Sequence, residues 1–115
     1  MTEYKVIVDK EKTVWYLNGK LHRIDGPAFE HANGDKSWYL NGKLHRKGGP
    51  AIEYKNGDKF WYLNGECHRI DGPAIEWADG DKWWYLNGKE VKEEEVIINA
   101  NLTEREYIKF ILELN

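Results

Sequence analysis

The side-chain pattern best suited to chemistry is His-Arg-x-Asp, at His22-Arg23-Ile24-Asp25 and again at His68-Arg69-Ile70-Asp71. A histidine oriented by a carboxylate is an arrangement for general acid–base work, and a row of arginines is one for holding an anion. Three features argue against catalysis. In the middle occurrence, His45-Arg46-Lys47-Gly48, glycine replaces the aspartate. The pattern also recurs every 23 residues, whereas an active site is needed once. Finally, the spacing of the turns sets each histidine opposite a tryptophan, with Val91 in that place in the last copy. Arg46 and Arg69 are expected to share a face with Glu30 and Glu53, which would partner their charge. No catalytic residue is assigned. Capture of a small anionic ligand, such as a nucleotide signal, by Arg23, Arg46 and Arg69 is the second reading of the pattern.

Metal and cofactor chemistry find no motif. The four histidines include no pair at the i, i+4 spacing of a helical zinc site. No glycine-rich segment opens a helix to cradle phosphate. The single cysteine, Cys67, stands where the first two copies have leucine, which predicts a buried apolar thiol and not a nucleophile. Neither a cofactor nor a metal is expected. Seventeen basic against twenty acidic side chains give a net charge of −3, unlike a binder that works by neutralising phosphates. No run reaches the ~20 apolar residues of a membrane helix. Residues 1–13 lack the apolar core of a secretory signal. The expectation is a cytoplasmic protein, in the host cytoplasm if phage-encoded, that binds neither nucleic acid nor membrane interior.

The elements that position these residues follow from an internal repeat. Residues 15–37, 38–60 and 61–83 each begin Trp-Tyr-Leu-Asn-Gly, and a fourth copy starts at Trp84 and stops at Val91. The first two copies agree at 17 of 23 positions. A fixed period in this range marks an architecture in which each unit buries its face against the next. Asn-Gly or Asp-Gly recurs twice per unit, and such dipeptides predict two-residue type I′ hairpin turns. The six residues between turns, such as 35–40, are then one strand, and Gly-Pro at 26–27, 49–50 and 72–73 interrupts the other side. Two-residue turns would set Tyr39 against Leu44, Tyr62 against Cys67, Phe29 against Trp38 and Glu30 against Ser37. Around Tyr4, Val6 and Val8 the sequence alternates as a starting strand does. Residues 92–98 form a short helix, and Thr103 with Glu106 makes a capping box for a second. Its stripe of Tyr107, Ile108, Ile111, Leu112 and Leu114 is expected to cap the array, where Ser37, Phe60 and Trp83 grow larger, or to form a homodimer. The chain reads as one mainly β domain, an antiparallel hairpin array closed by one or two C-terminal helices. Residues 1–14 are the leading strand, 15–91 the three and a half units and 92–115 the cap.

Positions that the stack leaves free are the candidate binding surface. His31, Tyr54 and Trp77 occupy one place and differ between units, as do Ala32, Lys55 and Ala78. Tyr54, Lys55, Trp77 and the divergent Lys47 are therefore the expected partner-binding residues. The 23-residue hairpin unit, with Asn-Gly-Lys, a following His and a later Ala-Asp-Gly-Asp, resembles the MORN repeat. The phrase WYLNGKLHRIDGPA looks closer to the MORN-variant repeats of bacteriophage, large-virus and antitoxin-like bacterial proteins than to the usual MORN motif. That resemblance spans residues 15–91 and implies a scaffold that docks proteins. The function expected is a phage-type, counter-defence or antitoxin-like inhibitor that blocks a bacterial protein by steric occlusion. A membrane-surface or structural scaffold is the further alternative.

Overall fold

The structure, a computed structural model, describes residues 3–101, with side chains as far as Ile98. It is a mainly antiparallel, hairpin-rich β-structure with one short helix. The strands are β1 (Tyr4–Val8), β2 (Lys12–Leu17), β3 (Lys20–Leu21), β4 (Phe29–His31), β5 (Lys36–Ser37), β6 (Tyr39–Leu40) and β7 (Lys43–Leu44). They continue as β8 (Ile52–Glu53), β9 (Lys59–Phe60), β10 (Tyr62–Leu63), β11 (Glu66–Cys67), β12 (Ile75–Glu76), β13 (Lys82–Leu86) and β14 (Lys89–Val91), followed by α1 (Glu93–Asn101). The main sheet runs β1-β2-β4-β5-β8-β9-β12-β13-β14, with β3 beside β2, and β6–β7 and β10–β11 are separate hairpins. The second, capping-box helix expected around Thr103 and Glu106 lies outside the described residues.

Two turn geometries alternate along the chain. Asn18, Asn41, Asn64 and Asn87 all have φ near +50° and precede a positive-φ glycine, as the type I′ turn requires. These turns give the expected registers, Tyr39 with Leu44 and Tyr62 with Cys67. The other turn dipeptides, Asn33-Gly34, Asn56-Gly57 and Asp79-Gly80, behave differently. Only the glycine is left-handed at Gly34, Gly57 and Gly80. The His31 N–H donates to Asp35 O while the Gly34 N–H donates to His31 O, a three-residue loop with a bulged glycine.

That extra residue shifts the register by one place, which exchanges the faces. Phe29 faces Ser37 and Glu30 faces Lys36, not Trp38 and Ser37 as two-residue turns predict. The six-residue strands also divide at the inner tryptophans. At Trp38 the chain passes from β5 to β6: its N–H donates to Ala51 O and its carbonyl accepts from His45 N–H.

Directly opposed residues share a face, so the sheet has two unlike sides. One carries Thr13, Glu30, Lys36, Glu53, Lys59, Glu76 and Lys82, an alternating row of charge. The other carries Val14, Phe29, Ser37, Ile52, Phe60, Ile75 and Trp83. Deep burial falls on small residues: Ala28, Ala51 and Ala74 are fully enclosed, with Val14, Cys67, Ile75 and Val96. Glu93, Glu94 and Glu95 open α1, where negative charge suits the helix dipole. The helix packs on β13, and Val96 and Ile97 share a recess with Trp84, Lys82 and Ile70. It thus covers the Trp84 side, and Trp83, on the opposite side, stays 44% exposed. The apolar stripe expected to meet Ser37, Phe60 and Trp83 falls at residues 107–114, outside the described residues.

Histidine joins one unit to the next. The Asn41 N–H donates to His22 Nδ1 at 2.9 Å, the Asn64 N–H to His45 Nδ1 at 2.9 Å, and the Asn87 N–H to His68 Nδ1 at 2.8 Å. Each imidazole holds the tip of the following type I′ turn, and among the described residues no such turn follows Val91. His22 is buried, so its loss leaves an N–H short of a partner. We expect His22→Leu to cost about 1–3 kcal/mol. His22→Asn, which keeps an acceptor near Nδ1, should cost about half as much in the same denaturation series.

Candidate functional site

The arginine row is built as a repeated three-layer contact. The Arg23, Arg46 and Arg69 guanidinium carbons lie 4.1, 3.8 and 3.8 Å from the ring centroids of Trp15, Trp38 and Trp61. A β-carbon added at Gly26, Gly49 or Gly72 would come within 2.9, 2.8 or 2.7 Å of the same guanidinium carbon. Indole on one side and a bare glycine on the other leave a slot that fits a planar cation. In-plane donors are used within the unit. Arg46 Nη1 reaches Glu53 at 2.8 Å and Pro50 O at 3.1 Å, and Arg69 Nη1 reaches Glu76 at 2.8 Å and Pro73 O at 3.1 Å. Arg23 pairs with Glu30 at 3.6 Å and, like Arg69, with the aspartate two residues on.

These contacts decode His-Arg-x-Asp. The aspartate serves arginine, at 3.1 Å from Arg23 and 2.8 Å from Arg69, and the histidine faces the next turn, so the two do not form a dyad. The ion-pair partners also differ from expectation. Glu30 and Glu53 do not serve Arg46 and Arg69 across a strand; each arginine takes the glutamate seven positions later in its own unit, because the shifted register brings that carboxylate alongside.

The opposite face presents aromatic rings. Tyr54 meets Phe60 edge-on at 5.6 Å, Phe60 meets Trp77 at 5.3 Å, and Trp77 meets Trp83 at 5.7 Å. Edge-to-face contacts of this kind are stabilising and hold the rings in place. Tyr54, Phe60 and Trp77 line an open groove of about 650 Å³ with Lys55, Asp35 and Asp58 at its polar rim. Tyr54 is 39% exposed. The rim is hydrogen-bonded: the Asp35 carboxylate accepts the Lys55 N–H at 2.8 Å, and Asp58 accepts the Ala78 N–H at 2.7 Å. Each aspartate thereby ties its turn to the next unit.

Of the expected partner residues, Tyr54, Lys55 and Trp77 come together here. Lys47 does not, and lines a separate recess with Arg46, Gly48, Trp61, Leu63 and Ile70. Phe60 and Trp83, expected from sequence to lie under the cap and not to bind a partner, complete the stripe. The signal was present, since Phe60 and Trp83 fall on the same face as Tyr54 and Trp77 once the loop length is known.

Cys67 is buried against Ala74 and Ile75, opposite Tyr62, and burial pushes its thiol up to about 11. Among the described residues no group of three or more His, Cys, Asp or Glu side chains gathers as metal ligands do. No family model, curated protein or solved structure matches this chain.

Two measurements test this arrangement. Gly49→Ala should push Arg46 off Trp38 and cost about 1–2 kcal/mol, the scale of a cation–π contact with a partly exposed ion pair. In an Arg46→Ala background the same change should cost almost nothing, and a double-mutant cycle reads the difference. Separately, a thiol raised from 9.0 to about 11 holds roughly 100-fold less thiolate at neutral pH. Native Cys67 should therefore react with a disulfide reagent at least that much more slowly than the denatured chain.

Proposed function

We propose that the chain is a MORN-like β-hairpin array with a 23-residue period that acts by binding another protein, without catalysis. The partner we favour is a bacterial protein, with the chain serving as a phage-type inhibitor that blocks it by steric occlusion. One observation carries the reading: the aromatic stripe Tyr54-Phe60-Trp77-Trp83 is left partly uncovered, while the charged face spends its arginines on the chain itself. Tyrosine and tryptophan held rigid on a scaffold are the side chains that dominate protein interfaces. Asp35, Asp58 and Lys55 at the rim supply polar contacts that orient a partner.

The arginine row supports ligand capture less well, since each guanidinium already meets an indole, a carboxylate and a prolyl carbonyl. Tagged full-length chain passed through a bacterial lysate should retain one protein in stoichiometric amount. Against that protein, Trp77→Ala and Trp83→Ala should each weaken binding by about 30-fold or more, the loss of a hot-spot residue. Lys47→Ala, outside the stripe, should leave binding unchanged. Recovery of the chain alone, or equal retention by all variants, rejects the reading.

A further inference from the structure

The outer side of β1 is a second surface that the fold leaves open. Tyr4–Val8 pairs with β2 over all five residues, and among the described residues no strand lies on its other side. Most strands of the sheet are two or three residues long, so β1 is an unusually extended edge. It is also apolar on both faces: Val6 is 42%, Ile7 40% and Val8 70% exposed. Protein edges of this length are commonly blunted by proline, a bulge or several charges. Here Lys5 is the one charge in the strand.

The direction of its backbone groups follows from the hairpin. The Asp9 N–H donates to Lys12 O at 3.0 Å, and bonded pairs alternate from there in an antiparallel ladder. Lys5 and Ile7 therefore turn their N–H and carbonyl toward Tyr16 and Val14. Tyr4, Val6 and Val8 turn theirs outward. Consistent with this, Trp15, opposite Val6, gives its N–H to Ala28 and takes the His22 N–H on its carbonyl.

We infer that β1 pairs with β1 of a second copy, antiparallel about a two-fold axis at Val6. The strand is its own complement in that register. Val6 meets Val6, Tyr4 meets Val8, and all the outward N–H and carbonyl groups of β1 find partners. Lys5 falls opposite Ile7, so the strand's positive charges do not oppose each other. A two-fold axis normal to the sheet keeps like faces together, so the two aromatic stripes stand on one side of a continuous sheet. If the stripe binds as proposed above, the pair is bivalent and gains avidity for a dimeric or repeated target. Self-pairing itself does not depend on that reading.

The test is the mass of the full chain by light scattering from micromolar to millimolar concentration, kept apart from any binding assay. A dimer is expected, with a return to monomer for Val8→Lys, a substitution at so exposed a site that circular dichroism should show the fold intact. Opposed bonded residues lie within disulfide reach, so Val6→Cys should oxidise to a covalent dimer and Ile7→Cys should not. A monomer at every concentration overturns the inference. A dimer that survives Val8→Lys and does not cross-link at position 6 also overturns it, and points to residues 102–115 as the contact. Preferential cross-linking of Ile7→Cys overturns the register.

Discussion

In each of the first three units a guanidinium lies between an indole and a glycine, and the polar face is assembled around that sandwich. The cation sits flat on Trp15, Trp38 or Trp61, and the approach is possible only where the chain offers no β-carbon, at Gly26, Gly49 and Gly72. Proline next in sequence contributes a carbonyl that accepts from the same arginine. A glutamate seven residues on closes the remaining side. The phrase His-Arg-x-x-Gly-Pro-Ala is thus one physical device. Its arginine is stacked and paired, its glycine makes room, and its alanine is the buried step on which the next strand rests.

A sheet whose deepest residues are alanines gains little from burial alone, so directional contacts between units carry the rest. Histidine holds the following type I′ turn by its Nδ1, and Asp35 and Asp58 hold the following loop by a carboxylate oxygen. The arrangement has a cost. Among the described residues the Nε1 groups of Trp15 and Trp61 are buried without an acceptor, a penalty the stacks must offset. These contacts also make the two faces unequal. One pairs its arginines within the chain; the other keeps a row of edge-to-face rings and a groove.

The ends explain themselves by the same contacts. Val91 stands in the histidine's place, with no further type I′ turn after it among the described residues, and Lys92 stands in the arginine's place where α1 lies beside Trp84. At the start, β1 covers one side of β2 and sets Tyr4 edge-on to Trp15 at 5.5 Å. Its far side carries outward backbone groups and exposed valines, which is why the two termini of the sheet differ in what they can meet.

Much of this was written in the chain itself. The Leu-Asn-Gly turns fixed Tyr39 on Leu44 and Tyr62 on Cys67, and the burial of Cys67 followed from its standing in for leucine. Tyr54 and the half-buried Trp77 were legible as variation at one place in the sequence repeat. What the Asn-Gly dipeptide alone left undetermined was the shape of the second turn. Asn33-Gly34 is the same dipeptide as Asn41-Gly42, yet one closes a three-residue loop and the other a two-residue turn. The wider loops share a local clamp: the Asp35, Asp58 and Asp81 N–H groups donate to a side-chain oxygen of Asn33, Asn56 and Asp79, two residues back. Tertiary structure alone decided the partners from further along the chain, because the Lys55 and Ala78 N–H groups that Asp35 and Asp58 accept lie twenty residues away, a separation that no local pattern encodes.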